Sequence, residues 1–253
     1  MSEAKSLVAE PPAAPDTMKR RAGRRPATSP DKATSATLVH DKLRQDILKG
    51  IVVPGQKLAI DAVAAMYGVG TNPVREALNR LSSERLVDRQ DQRGFFVPEI
   101  SLDSWRELVK TRCWLESTAL TESIHNRDDR WEETIVVAFH RLSKCSPTGD
   151  AQDRAGWEIH HRAFHVALIA NCGSQWLMDF CEILMDHAQR YILISAVSAN
   201  RSAIEEHRVI MEVVLQGDIA RAVATLVEHY QRTLYHIEEQ IRVLAGSVTP
   251  HAT

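Results

Sequence analysis

Cysteine is scarce in this sequence: four residues in 253, at positions 113, 145, 172 and 181, with no C-x-x-C pair among them. That spacing argues against a disulfide framework and against a zinc ribbon. Long apolar runs are also missing. The longest candidates, such as Tyr191 to Val197, fall far short of the roughly 18–20 residues that span a bilayer. Lys5 leads not into an apolar stretch but into Glu10, Pro11 and Pro12, so no signal-peptide pattern is read at the front. Glycine, at 11 residues, is too scarce for a collagen-like repeat. With 44% hydrophobic residues there is ample material for a core, and the length fits one large or two modest domains. These absences set the expectation of a cytoplasmic protein without membrane partners.

A net charge of -2 conceals an asymmetry. Residues 1–40 carry seven bases and four acids, residues 41–98 nine and seven, and the remainder fifteen and twenty-two. A basic front and an acidic rear imply that only the front meets a polyanion.

Residues 1–36 are rich in Ala, Pro, Ser, Thr and Arg without periodicity and read as a disordered basic tail. Regular patterning then begins. One helix is expected from Leu38 to Lys49, ending at Gly50 before the Pro54-Gly55 turn, and a second from Ile60 to Tyr67, stopped by Gly68. Asn72 followed by Pro73 reads as an N-cap and first-turn proline, opening a third helix that runs to Glu84. Two extended stretches, Leu86 to Gln90 and Gly94 to Pro98, flank the polar turn Asp91-Gln92-Arg93. This order is that of a winged helix-turn-helix. From Ser101 onward apolar residues recur every three or four positions, giving six expected helices: 101–126, 128–144, 150–171, 174–198, 202–216 and 218–244. An antiparallel bundle of six or seven helices buries all their stripes. The expected fold is therefore mainly α: tail 1–36, reading head 37–98, bundle 99–245 and a tail 246–253.

Several motifs together resemble one family. Leu43-Arg44, Ile47-Leu48, Gly50, Pro54-Gly55, Pro73-Val74-Arg75-Glu76-Ala77-Leu78, Arg80-Leu81 and Arg93-Gly94 resemble the DNA-binding domain of GntR-family transcriptional regulators. Arg112 with Glu116, Phe164-His165, Glu206-His207, Gly217-Asp218 and His229 resemble that family's helical FadR C-terminal (FCD) domain. The resemblance spans residues 37 to 245. It implies a homodimeric regulator, with a repressor expected, whose bundle binds a small carboxylate metabolite beside a divalent metal.

On this reading, double-stranded operator DNA meets Thr71, Asn72, Arg75, Asn79 and Arg80 of the third helix, Arg93 and Gly94 of the wing, and Arg44. Arg75 is placed for a bidentate contact to guanine. The family's usual Ser-Arg-Thr before the proline is here Gly70-Thr71-Asn72, so the operator is expected to differ from the family's usual one. In the tail, Lys19-Arg20-Arg21-Ala22-Gly23-Arg24-Arg25-Pro26 resembles an AT-hook core, suited to a narrow minor groove.

Four histidines form the expected metal set. His161 and His165 lie four apart on one helix face, while His207 and His229 sit on the last two helices. The family's aspartate at the first of these positions is here His161, which shifts preference toward zinc, with nickel next, over manganese or magnesium. Arg112, Glu116 and Arg190 are the expected effector contacts. His140, His187 and His236 read as structural. Two other functions compete with the regulator: a direct metal sensor, in which the ion is itself the effector, and a histidine-ligated metalloenzyme. The sequence lacks the H-E-x-x-H of a common catalytic zinc site.

Overall fold

The computed structural model describes residues 34–194 and 203–246. The basic stretch around Arg20–Arg25 and the C-terminal tail lie outside them.

The reading head opens with α1 (Ser35–Leu48), capped by the Thr34 hydroxyl accepting from the Thr37 amide. It starts three residues before the expected Leu38, because the apolar periodicity at Val39 and Leu43 says nothing of a capping turn. Next come β1 (Lys57–Leu58), α2 (Ile60–Tyr67), α3 (Thr71–Ser83), β2 (Asp88–Gln90) and β3 (Gly94–Phe96). The strands form an antiparallel sheet in the order β1-β3-β2. Strand β1 was not anticipated: two residues are too short to show alternation, and pairing with Phe95 and Phe96 is what makes them a strand. The N-cap of α3 is Gly70 rather than Asn72, which lies inside the first turn; Gly70 is extended and makes no side-chain cap. Val74, Ala77, Leu78 and Leu81 form the buried stripe of α3, each essentially inaccessible, and pack with Val39, Leu43 and Ile47 of α1. The i, i+3, i+4, i+7 spacing of that stripe leaves positions 71, 72, 75, 76 and 79 facing out.

The bundle comprises α4 (Leu102–His125), α5 (Asp129–Leu142), α6 (Ala151–Ile169), α7 (Gln175–Ile194), α8 (Ala203–Gln216) and α9 (Ile219–Gly246). Acids and hydroxyls start them. Ser101, Asp128 and Asp150 each accept amide hydrogens of the first turn, and Asp218 accepts from the Arg221 amide. Each such cap contributes about 1 kcal/mol. Helix α4 is central, packing on α9, α7 and α6. Its Trp105 stacks on Tyr191 at 4.8 Å and donates to the Leu234 carbonyl. Trp131 of α5 donates to the Ala167 carbonyl at 2.8 Å, so both large indoles bury their N–H groups satisfied. Among the described residues no helix is long and apolar enough to cross a membrane.

Head and bundle meet along α7. There His187 Nε2 donates to the carbonyl of Glu84, the C-cap of α3, at 2.9 Å. One turn on, Arg190 donates to the Pro98 carbonyl at 2.6 Å. Asp186 accepts from Arg44 of α1 on one side and from Arg162 of α6, at 3.2 Å, on the other.

Candidate functional site

The outward face of α3 gathers Thr71, Asn72, Arg75 and Asn79, all exposed. Among the described residues Arg75 makes no ion pair; Glu84, one conceivable partner, is engaged by His40 and Arg44 instead. Arg80 is half-buried and reaches back to the Thr37 hydroxyl at 3.4 Å. In the wing, Gly94 takes φ +96°, which a side chain would strain, and Arg93 beside it lies over the Phe96 ring at 5.5 Å. Lys57 approaches the same ring at 5.9 Å, so β1 brings to the wing a cation that sequence reading missed. Arg44 is turned inward, bound to Asp186 with Glu84 nearby at 3.7 Å.

In the bundle, one ligand atom from each of His161, His165, His207 and His229 lies within 4.8 Å of the others. Helix α6 supplies the first two one turn apart, α8 the third and α9 the fourth. His165, His207 and His229 are buried.

The hydrogen bonds behind the rings decide which nitrogens face one another. Tyr230 donates its hydroxyl hydrogen to Glu116, so its oxygen accepts from His165 Nδ1 at 3.1 Å. His207 Nδ1 donates to the Ala203 carbonyl, and His229 Nδ1 donates to Glu206 at 2.8 Å. With these Nδ1 atoms carrying the protons, the Nε2 atoms of His165, His207 and His229 are the acceptor nitrogens of neutral rings. His165 Nε2 stands 3.2 Å from His161 Nε2 and 3.3 Å from His207 Nε2.

The His165 and His207 lone pairs, at 3.3 Å, favour a cation between them. Nitrogens bound tetrahedrally to zinc at about 2.0–2.1 Å stand about 3.3–3.4 Å apart, close to these two separations, while the four ligand atoms as a set spread to 4.8 Å. Burial, and after it the neighbouring histidines and Arg112, push the His165 pKa well below its ordinary range, so the ring is neutral as a ligand must be. The donor set therefore fits a borderline-soft divalent ion.

Arg112 sits beside this cluster, 7% exposed, its Nε donating to Glu116 at 2.7 Å and its guanidinium 4.3 Å from the Tyr230 ring. Burial disfavours its charge, but Glu116 outweighs that and the guanidinium stays cationic. Arg112 lines a cavity of about 80 Å³ with the four histidines, Tyr230 and His236.

Glu116 is not on that cavity wall; it lies behind, 1% exposed, holding Arg112 and Tyr230. Arg190 is also elsewhere, closing the head–bundle junction. The reason is helical phase: Met185, Ala188, Gln189 and Ile192 of α7 line a cavity, whereas 187 and 190 face the head. Three residues that sequence reading did not place at the site belong to it. Tyr230 and Glu206 hold the rings of His165 and His229, and His236, read as structural, lines the cavity and has a buried Nε2 with no partner among the described residues. The signal for Glu206 was its place beside His207; for His236 it was one helical turn and three residues beyond His229, too weak a cue alone.

Comparison with known proteins gives the same division. The family model "Bacterial regulatory proteins, gntR family" matches residues 36–97, and the FCD domain matches 107–232. The chain is 37% identical over 199 residues to the uncharacterized HTH-type transcriptional regulator BphR of Paraburkholderia xenovorans, covering 76% of this chain and 81% of that one. It is 32% identical over 195 residues to the HTH-type transcriptional repressor GlaR of Escherichia coli, covering 74% and 88%. Among solved structures, E. coli McbR/YncC shares the fold, with a TM-score of 0.69 at 21% identity over 82% of this chain and 99% of that one. Family and relatives are transcriptional regulators and not enzymes, which removes the metalloenzyme alternative. The chain belongs to the GntR family, in its FCD-domain branch, and is a DNA-binding transcriptional regulator.

Proposed function

We propose that this regulator binds a divalent ion, zinc before nickel, on His161, His165, His207 and His229, and that a small carboxylate joining the ion and Arg112 sets its affinity for operator DNA. The observation that carries this reading is the convergence of one nitrogen from each of four histidines within 4.8 Å, with the Nδ1 protons of His165, His207 and His229 held behind the rings. Four neutral imidazoles leave the ion's full charge in a low-dielectric site, which favours an anion in the remaining coordination space. Bound zinc would supply that charge. The chain's own groups do the rest: Glu206 and Tyr230 hold ring orientation, and Arg112, steadied by Glu116, offers a planar cationic fork to a carboxylate.

DNA binding rests on Arg75 with Thr71, Asn72 and Asn79, and on Arg93 and Gly94 at the wing. Two heads on one operator require a homodimer. The bundle carries exposed apolar side chains suited to self-association: Trp176 at 78%, Phe180 at 53% one turn on, and Trp114 at 62%. The regulator acts as a repressor, as GlaR is named.

The test is metal content. Purified chain equilibrated with zinc and desalted should retain one ion per protomer by elemental analysis, and His207→Ala should retain markedly less. Equal retention by the two proteins, or none by either, contradicts the site. Operator affinity measured with chelator, in the absence of any organic acid, separates an ion that holds the effector from an ion that is the effector.

A further inference from the structure

The histidine cavity shares a wall with a larger one. Arg112, His161, His165 and Ile192 line both, and the second, about 510 Å³, extends beneath the reading head, where Arg44, Gln45 and Leu48 of α1 and its C-cap Lys49 line it. Size separates their roles. Metabolite pockets are usually about 300–1,000 Å³, so the first cavity, at about 80 Å³, has room for little beyond an ion's own shell while the second has room for a metabolite.

The far compartment mixes charged and apolar side chains, and Gln189 on its wall has a buried Nε2 with no partner among the described residues. Its charges are Arg44, Lys49, Arg112 and Arg162 against Glu158, Glu182 and Asp186, with Glu116 behind Arg112 completing the balance. A divalent ion on the histidines makes the whole compartment net positive.

We infer that the effector site continues from the histidines into this compartment, and that its ligand is an elongated organic anion whose second acceptor group reaches Gln189 and Lys49. The inference rests on the metal reading above and extends it. One end of the ligand meets the ion and Arg112, and the other touches α1, the helix against which the DNA-reading α3 packs. Occupancy is therefore felt directly by the head, through Lys49 and through Arg44, whose partner Asp186 also lines the compartment. Such contact gives a ligand the differential affinity for two head placements that linkage requires.

The experiment is calorimetric titration of the zinc-loaded full chain with acetate and with straight-chain dicarboxylates from succinate to pimelate. Affinity should rise with length by at least about tenfold, equivalent to about 1.4 kcal/mol, over acetate before falling once the chain is too long. In Lys49→Ala and Gln189→Leu the ratio of best dicarboxylate to acetate should fall to within about twofold. Length-independent affinity in the unaltered chain, which depends on no variant folding, overturns the inference, as does a ratio untouched by both substitutions. If acetate binds only when zinc is present and the series is flat, the metal reading stands and only its extension fails. If neither zinc nor acetate binds, both fall together.

Discussion

At the scale of single residues, the histidine cluster is ordered by hydrogen bonds behind its rings. Tyr230 is the sharpest case: its ring packs under Arg112, and its oxygen fixes His165 only because Glu116 takes its hydrogen. Tyr230→Phe keeps the shape and removes the acceptor, so zinc affinity, measured by competition with a chromophoric chelator, should fall about 10- to 100-fold. Unchanged affinity would mean that His165 needs no partner. On the DNA side, Arg75 is exposed and makes no ion pair among the described residues, so truncation costs the fold little. Arg75→Ala should weaken operator binding by about 1–3 kcal/mol in a gel-shift titration while leaving the melting temperature in place. The four histidines were legible in the sequence because an i, i+4 pair and a family pattern coincide there. Tyr230 and His236 were not, since a tyrosine or histidine on an amphipathic helix looks the same whether it faces a core or a cavity.

Among the elements, α7 does two jobs with one turn of phase. Positions 185, 188, 189 and 192 line the compartment, while His187 and Arg190 bind carbonyls at the end of α3 and after β3. Periodicity revealed the helix but not which stripe met which neighbour, and Arg190 was accordingly expected at the effector. The same limit applies to Asn72, where a good capping residue followed by proline outranked Gly70 on composition alone. The junction has a pH signature. Burial lowers the pKa of His187, as it does that of His165, below the ordinary histidine value of 6.5. As pH falls through about 6.5 the unfolded chain takes up protons that the folded chain refuses, so stability declines with acidification. Urea denaturation of the metal-free protein should give a lower midpoint at pH 5.5 than at pH 7.5, with His187→Gln reducing the difference. Equal midpoints at the two pH values would contradict the neutral buried assignment.

For the whole molecule, the division into a basic head and an acidic helical bundle was plain from charge blocks and from the switch in hydrophobic pattern near residue 100. Sequence did not reveal that head and bundle share a charged seam. Arg162 lies on α6 between His161 and His165 and binds Asp186, which in turn holds Arg44 of α1. Three chain segments more than twenty residues apart in sequence meet there, a juxtaposition that no local spacing encodes. It joins the histidine cluster to the element supporting α3, and on the proposed reading it is how occupancy of the bundle would reach the head. The direct measurement is fluorescence anisotropy of a DNA fragment that the protein itself selects from a random-sequence pool. It is titrated with zinc-loaded chain, with and without a saturating carboxylate, and with metal removed by chelation. The account predicts at least about a tenfold difference in affinity between the liganded and unliganded zinc forms, a coupling of about 1.4 kcal/mol. Superimposable curves under all three conditions would contradict it.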